Sequence, residues 1–173
     1  MKRILFLAIL FLTFAGLFSH AEAQSEEDFE KKGLKHFDSA VFKAIPQKNK
    51  ARADAEFALA ETAFQKAIEK NPNRVNAYLH LGRTYSAQKK YAAAAETYRS
   101  ALVIAPQQKE IYLRLASALE KNGDYRGAIN ALEDLRALES DDRTIRVIDD
   151  FVGKLEKRAA RTGPANSRSG ELP

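Results

Sequence analysis

Shifted by one fixed step, the one that carries Tyr78 onto Tyr112, the chain lies over itself, and no other feature narrows its fold so far. Tyr78, Leu81, Gly82, Tyr85, Ala94, Tyr98, Ala101 and Pro106 recur as Tyr112, Leu115, Ala116, Leu119, Ala128, Leu132, Leu135 and Ser140. Lys89-Lys90-Tyr91 corresponds to Gly123-Asp124-Tyr125. Tyr78, Leu81, Gly82 and Tyr85 stand at i, i+3, i+4 and i+7, the spacing of one helical face. Ala94, Tyr98 and Ala101 repeat the arrangement on a second helix. Gly82 has no side chain, so the second helix comes close there. A glycine inside a helix costs about 1 kcal/mol of propensity, and packing must offset it. Ala94 is the small residue on the facing helix, and Tyr98 fills the space beside it. The run Ala92–Ala95 favours helix because alanine loses no side-chain entropy. Pro106 cannot continue the helix and turns the chain into the next unit.

A helix–turn–helix unit of about 34 residues reading W-x2-L-G-x2-Y, then A-x3-F, then P, is the pattern of tetratricopeptide repeats, and the chain resembles that family. Residues 75–108 carry the pattern at nearly every place, with Tyr78 for the Trp and Tyr98 for the Phe. Residues 109–142 carry it more loosely, and Ser140 replaces the closing Pro. The resemblance implies an all-α fold: a short right-handed solenoid of stacked helix–turn–helix repeats with a C-terminal capping helix. It also implies a protein–protein interaction module, a scaffold or adaptor, since members of the family mostly act as scaffolds.

A further unit lies upstream in altered form, over 24–74. Ala60, Phe64, Ala67 and Pro72 precede Ala94, Tyr98, Ala101 and Pro106 by the same repeat step. Ser25-Glu26-Glu27-Asp28 reads as a capping-box start, and Phe29, Gly33 and Phe37 follow at i, i+4 and i+8. The stretch from Gly33 to Ala60 is more than twice as long as that from Gly82 to Ala94, so an insertion lies around Pro46. This predicts a longer first helix, a break near Pro46 and an extended second helix through Lys70. The geometry of 38–58 stays open. Downstream, Asp141 and Asp142 offer N-caps for a capping helix over 143–160, with Ile145, Ile148, Val152 and Leu155 on one stripe. A terminal solenoid unit needs one apolar and one polar face, and this segment has both. The tail 161–173, rich in Gly, Pro and Ser, is expected to be disordered.

Positions 1–23 read as a signal peptide. Lys2 and Arg3 precede an apolar run from Ile4 to Phe18, and Ala21-Glu22-Ala23 has the small residues a signal peptidase reads. The run is shorter than the ~20 residues of a membrane span. Cleavage between Ala23 and Gln24 would give a periplasmic or secreted protein. The mature chain would hold 26 basic and 22 acidic residues, and 154–173 alone would carry +3 of its net +4. The body is near neutral, so the basic pI does not point to nucleic acid. Four cations in that segment, Lys154, Lys157, Arg158 and Arg161, suit the negative end of a helix dipole. The alternative reading is membrane-surface contact through this basic tail, at ~1 kcal/mol per charge.

No enzyme motif is present: no GxSxG, HExxH, phosphate-binding Gly-rich loop or EF-hand loop. The chain has no Cys, which excludes disulfides and Cys-based zinc sites. Of the histidines after the signal, His36 and His80, the second lies about 150–200° from the Tyr78/Gly82/Tyr85 face by the helical period and is expected to be solvated. Asp141-Asp142 and Asp149-Asp150 read as caps and solvated face. The expectation is therefore no catalytic, cofactor or metal site.

The resemblance implies that the first helix of each unit lines a concave groove. The positions on those helices that the core does not use are Asn76, Leu79, Arg83 and Ser86, then Glu110, Leu113, Ser117 and Glu120. Aligning Gly33 with Gly82 adds Glu27, Glu30, Leu34 and Phe37. This set has four carboxylates, one guanidinium and an apolar row of Leu34, Leu79 and Leu113. It predicts a groove for a protein or peptide partner, an apolar segment bearing Lys or Arg, with both Leu79 and Leu113 outside the core. A stack this short also leaves room for a homodimer that extends it.

Overall fold

The computed structural model describes residues 25–162. Among them the chain is all-α, without a strand: α1 (Glu26–Ser39), α2 (Lys50–Lys70), α3 (Val75–Ala87), α4 (Tyr91–Ile104), α5 (Lys109–Lys121), α6 (Tyr125–Ala137) and α7 (Asp142–Thr162). Each helix packs on the next along the chain. Helices α3/α4 and α5/α6 fill the two repeats read from the sequence.

Short polar side chains set the starts of α1, α2, α6 and α7, whereas α3, α4 and α5 begin without a side-chain cap. The Ser25 hydroxyl accepts from the Asp28 N–H at 3.2 Å, and the Asp28 carboxylate accepts from the Ser25 N–H at 3.1 Å, closing the expected capping box. These bonds to Ser25 hold the Asp28 carboxyl below its usual range. Asn49 caps α2 through the Arg52 N–H, and Asp124 caps α6 through the Gly127 N–H. At α7 the cap is Asp141, which accepts from the Thr144 N–H at 2.8 Å and its hydroxyl at 2.7 Å. Asp142 is the first helical residue, and the helix runs to Thr162, a little beyond 143–160. Between the helices of each repeat the chain needs one left-handed residue. Lys89 (φ 62°) supplies it in the first repeat and Gly123 (φ 83°), at the equivalent place, in the second.

The inserted residues lengthen the first hairpin. After α1 the backbone makes a π-helical turn, Ala40–Ala44, turns at Pro46 and enters the 21-residue α2. Ala40, Ala44, Ala53 and Phe57 form a small core of their own with Phe37 and Val41. His36 Nδ1 lies 2.8 Å from Glu56 Oε2, and the Ser39 hydroxyl donates to Glu56 Oε1 at 2.9 Å, fastening α1 to α2. These bonds, His36 foremost, lower the Glu56 pKa.

Within the first two pairs a glycine on the first helix faces a ring on the second. A Cβ on Gly33 would stand 2.5 Å from Phe64 Cε1, and one on Gly82 would stand 2.7 Å from Tyr98 Cζ. Phe64 and Tyr98 are fully buried. The next repeat has Ala116 and Leu132 at these positions: the added methyl accompanies a smaller partner. The main core runs from Ala94 and Tyr98 through Ile111, Leu115, Leu119, Leu132 and Leu135 to Ile148 and Leu155 of α7. The stack closes there. The α7 positions that correspond to Tyr112, Leu115 and Ala116 are Arg146, Asp149 and Asp150, all exposed. A polar face at this place offers nothing for an eighth helix to bury.

Candidate functional site

The groove is built from the first helices of the repeats. Phe37 of α1, Arg83 and Ser86 of α3, and Glu110, Leu113, Arg114, Ser117, Ala118 and Lys121 of α5 line a recess of about 440 Å³ floored by Tyr98. Of the positions expected there, Arg83, Ser86, Glu110, Leu113 and Ser117 come together, with Phe37 from the altered first unit. Arg83 lies over the Phe37 ring, 5.1 Å from its centroid, so the first unit joins the groove through a cation–π contact. Glu120 lies in an adjoining recess that also holds Leu113 and Ser117. Asn76 is exposed but lines neither recess. Leu34 is half-buried beside Phe64 and Leu81.

Leu79 is not a groove residue. It is 6% exposed and belongs to the main core, whereas Leu113, its counterpart in the next repeat, is 52% exposed. A single core stripe allows for one neighbouring helix, but α3 packs on α1, α2 and α4. Its buried arc is correspondingly wider and takes in Ala77, Leu79 and Thr84.

The same crowding corrects His80, expected in solvent. Its side chain is 20% exposed and stacks on Phe64 at 5.4 Å. Its Nε2 lies 3.6 Å from Glu30 Oε1, and its Nδ1 lies 3.5 Å from Arg83 Nη1. Burial pushes its pKa below the ordinary 6.5 against the attraction of Glu30, helped by Arg83 and Arg114 and opposed by Glu110. The unfolded chain therefore binds more protons than the folded one as pH falls below 6.5, and folding stability drops through that window. Urea midpoints at pH 7.5 and pH 5.5 should fall further apart in the wild type than in His80→Gln. Equal differences would mean that His80 titrates alike in both states.

The acidic character expected of the groove is not what the geometry gives, because each of the four carboxylates has a cation of the same chain. Glu27 pairs with Lys31 at 2.8 Å, and Glu30, 7% exposed, pairs with Arg74 at 2.6 Å. Glu110 pairs with Arg114 at 2.5 Å, and Glu120 pairs with Arg158 of α7. Lining the recess are three cations, Arg83, Arg114 and Lys121, and one carboxylate, Glu110; with Arg114 held by Glu110, Arg83 and Lys121 carry its net positive charge. Arg114 and Lys121 were absent from the sequence-based set. Their signal was available: 110, 113, 114, 117 and 121 form one unbroken helical stripe.

The repeat spacing also carries the groove onto α7. Thr144, Val147, Phe151 and Lys154 stand one repeat step after Glu110, Leu113, Ser117 and Glu120. Val147 is 60% and Phe151 46% exposed.

Two family models, each described as tetratricopeptide repeat, match residues 49–109 and 85–146. Together they cover 49–146, more than half of the chain, and the chain belongs to the tetratricopeptide repeat family. It is 27% identical over 131 residues to small glutamine-rich tetratricopeptide repeat-containing protein 2 of Saccharomyces cerevisiae, covering 73% of this chain and 38% of that one. It thus spans about two fifths of that relative's length. Among solved structures it is similar to the TPR2B domain of yeast Sti1, described as a pHsp70 complex. The TM-score is 0.58 at 17% identity, over 77% of this chain and 97% of that one. It is also similar to PcrH in complex with the chaperone binding region of PopD, with a TM-score of 0.56 at 19% identity, over 83% and 99%. Both likenesses concern the fold.

Proposed function

We propose that the protein is an exported interaction module that holds an acidic linear segment of a partner protein in the groove between α1, α3 and α5. The observation that carries this reading is the recess itself. It gathers side chains from three helices that the core leaves partly exposed, and three of its four charges are positive. The preference for an acidic segment reverses the expectation of a Lys- or Arg-bearing one, because the groove's carboxylates are already paired. The complexes of the fold relatives, pHsp70 with the Sti1 domain and a PopD region with PcrH, support a segment of another protein as the ligand class. Fluorescence anisotropy with a labelled triglutamate peptide should show binding at low salt that weakens as salt rises. Arg83→Glu combined with Lys121→Glu should reduce it at least tenfold with the thermal melt unchanged. Undiminished binding by that variant would place the site elsewhere.

The place of action proposed is the periplasm or the extracellular space, in envelope assembly or maintenance. It rests on the Lys2-Arg3 start, the Ile4–Phe18 run and Ala21-Glu22-Ala23, all outside the described residues. Mature protein should begin at Gln24 and fractionate with periplasmic or secreted material. N-terminal sequencing that returned Met1 from a membrane pellet would refute export. The basic segment near the C-terminus is engaged in part within the fold, since Lys154 pairs with Asp150 and Arg158 with Glu120. This favours its role as a helix end over one as a membrane anchor.

A further inference from the structure

The first hairpin carries a feature that the repeat does not require. Helix α2 has 21 residues where its counterpart α4 has 14. Phe57 corresponds to Tyr91, at which α4 begins, so the extra length, Lys50–Glu56, all lies at the hairpin tip. At 1.5 Å per residue it adds about 10 Å of helix there. Ala40 and Ala44 of the π-helical turn face inward and are fully buried, closing the small core with Ala53 and Phe57. Phe42 and Ile45 face outward. Phe42 is 72% exposed, more than any other phenylalanine among the described residues, and Ile45 is 51% exposed. A tip that served only to lengthen the hairpin would carry polar side chains at these two places.

The charge of the tip is one-sided. Between Asp38 and Asp54 the chain has four cations, Lys43, Lys48, Lys50 and Arg52, and no carboxylate except Glu56's neighbourly reach from beyond Asp54, which His36 and Ser39 already engage. All four cations are exposed, and the three lysines form no ion pair among the described residues. Two outward apolar side chains ringed by cations suit the boundary between headgroups and acyl chains of an anionic bilayer. There an apolar side chain enters the boundary, and lysines reach the phosphates while their stems lie along the apolar layer. A protein partner fits less well, because protein interfaces are depleted in lysine. A second copy docked tip to tip would bring two such sets of like charges together.

We propose that the tip of the α1/α2 hairpin is a membrane-docking site. Phe42 and Ile45 enter the surface of an anionic phospholipid bilayer, and Lys43, Lys48, Lys50 and Arg52 face its phosphates. This contact is independent of what the groove binds, and it is separate from the basic segment of α7. Each cation near such a surface strengthens binding about fivefold, and the two apolar side chains add the part that salt does not screen.

The test is co-sedimentation of the mature chain, from Gln24, with vesicles of two parts phosphatidylcholine to one part phosphatidylglycerol, against vesicles of phosphatidylcholine alone. The anionic vesicles should bind at least tenfold more tightly at low salt. Phe42→Ser combined with Ile45→Ser, and separately Lys43→Glu combined with Lys50→Glu, should each weaken that binding at least tenfold with the melt unchanged. The chain has no Trp, so Phe42→Trp places a single fluorophore at the tip. Its emission should shift to the blue when anionic vesicles are added, whereas that of Val103→Trp, at a site 84% exposed on α4, should not. Absence of binding, binding that survives both tip variants, or a Phe42→Trp emission that does not move would overturn the proposal. So would a loss in Lys157→Gln combined with Arg161→Gln as large as that of the tip variants, which would make the end of α7 the anchor. A dimer dispersed by Phe42→Ser would assign the tip to a second copy and likewise refute membrane docking.

Discussion

Gly82→Leu should destabilise the fold by about 3 kcal/mol, the upper end of the range for overpacking, and lower the melting temperature by about 10 °C for a chain of this size. Even the first carbon of the new side chain would stand 2.7 Å from Tyr98 Cζ. Tyr98 is 2% exposed and cannot swing aside without opening the core. Ala94, fully buried on the same facing helix, should tolerate leucine as poorly. The stricter experiment uses alanine. By helix propensity Gly82→Ala should stabilise by about 1 kcal/mol; by the contact with Tyr98 it should destabilise. The contact is expected to win, because a methyl inside van der Waals distance must displace a buried ring. Combining Gly82→Ala with Tyr98→Leu reproduces the Ala116/Leu132 pair of the next repeat and should recover stability beyond the sum of the single changes, with a coupling of about 1 kcal/mol or more. Thermal denaturation followed by circular dichroism would read all four proteins. A higher melting temperature for Gly82→Ala alone would show that the two helices are not in contact at this point.

Much of this was legible in the sequence because a repeat states each contact more than once. The spacings around Gly82 fixed which faces meet, and the long gap between Gly33 and Ala60 located the insertion that became the π-helical turn and the long α2. What stayed hidden depends on how many helices surround a given helix. Tyr78, Gly82 and Tyr85 define one stripe of α3, but nothing in their spacing says that α1 and α2 flank it on the side of His80 and that the core of α4 and α5 takes in Leu79 on the other. Leu79 and His80 were therefore placed in solvent and are buried. The groove's charge was hidden for a related reason. Counting Glu27, Glu30, Glu110 and Glu120 gives an acidic surface; Lys31 and Arg114 stand four residues on and were readable as partners, but only positions in space show that Arg74 cancels Glu30 and Arg158 cancels Glu120. The last of these pairs joins residues 38 positions apart, from α5 to α7, a distance at which helical spacing carries no information.

The two leucines at equivalent places separate core from groove in one comparison. Leu79→Glu should cost about 4 kcal/mol or more, the range of substitutions that bury an unpaired charge. The side chain is 6% exposed among Ala94, Ile111 and Leu115, and a carboxylate there would lose its water without gaining a partner. Measured against a typical net stability of about 5–15 kcal/mol, such a loss should leave a substantial unfolded fraction at 37 °C. Leu113→Glu, the same change one repeat later, should leave the melt within about 0.5 kcal/mol of wild type, as is usual for an exposed site. Its effect should fall on binding instead. The new carboxylate would stand in the cationic recess and oppose the acidic residues of a ligand. Capture of the triglutamate peptide should drop at least tenfold while helicity is kept. If Leu113→Glu also unfolds the chain, α5 is more enclosed than its exposure indicates and the groove does not open on this side. If Leu79→Glu melts like wild type, α4 and α5 do not enclose this face of α3, and the place of Leu79 in the main core would have to be given up.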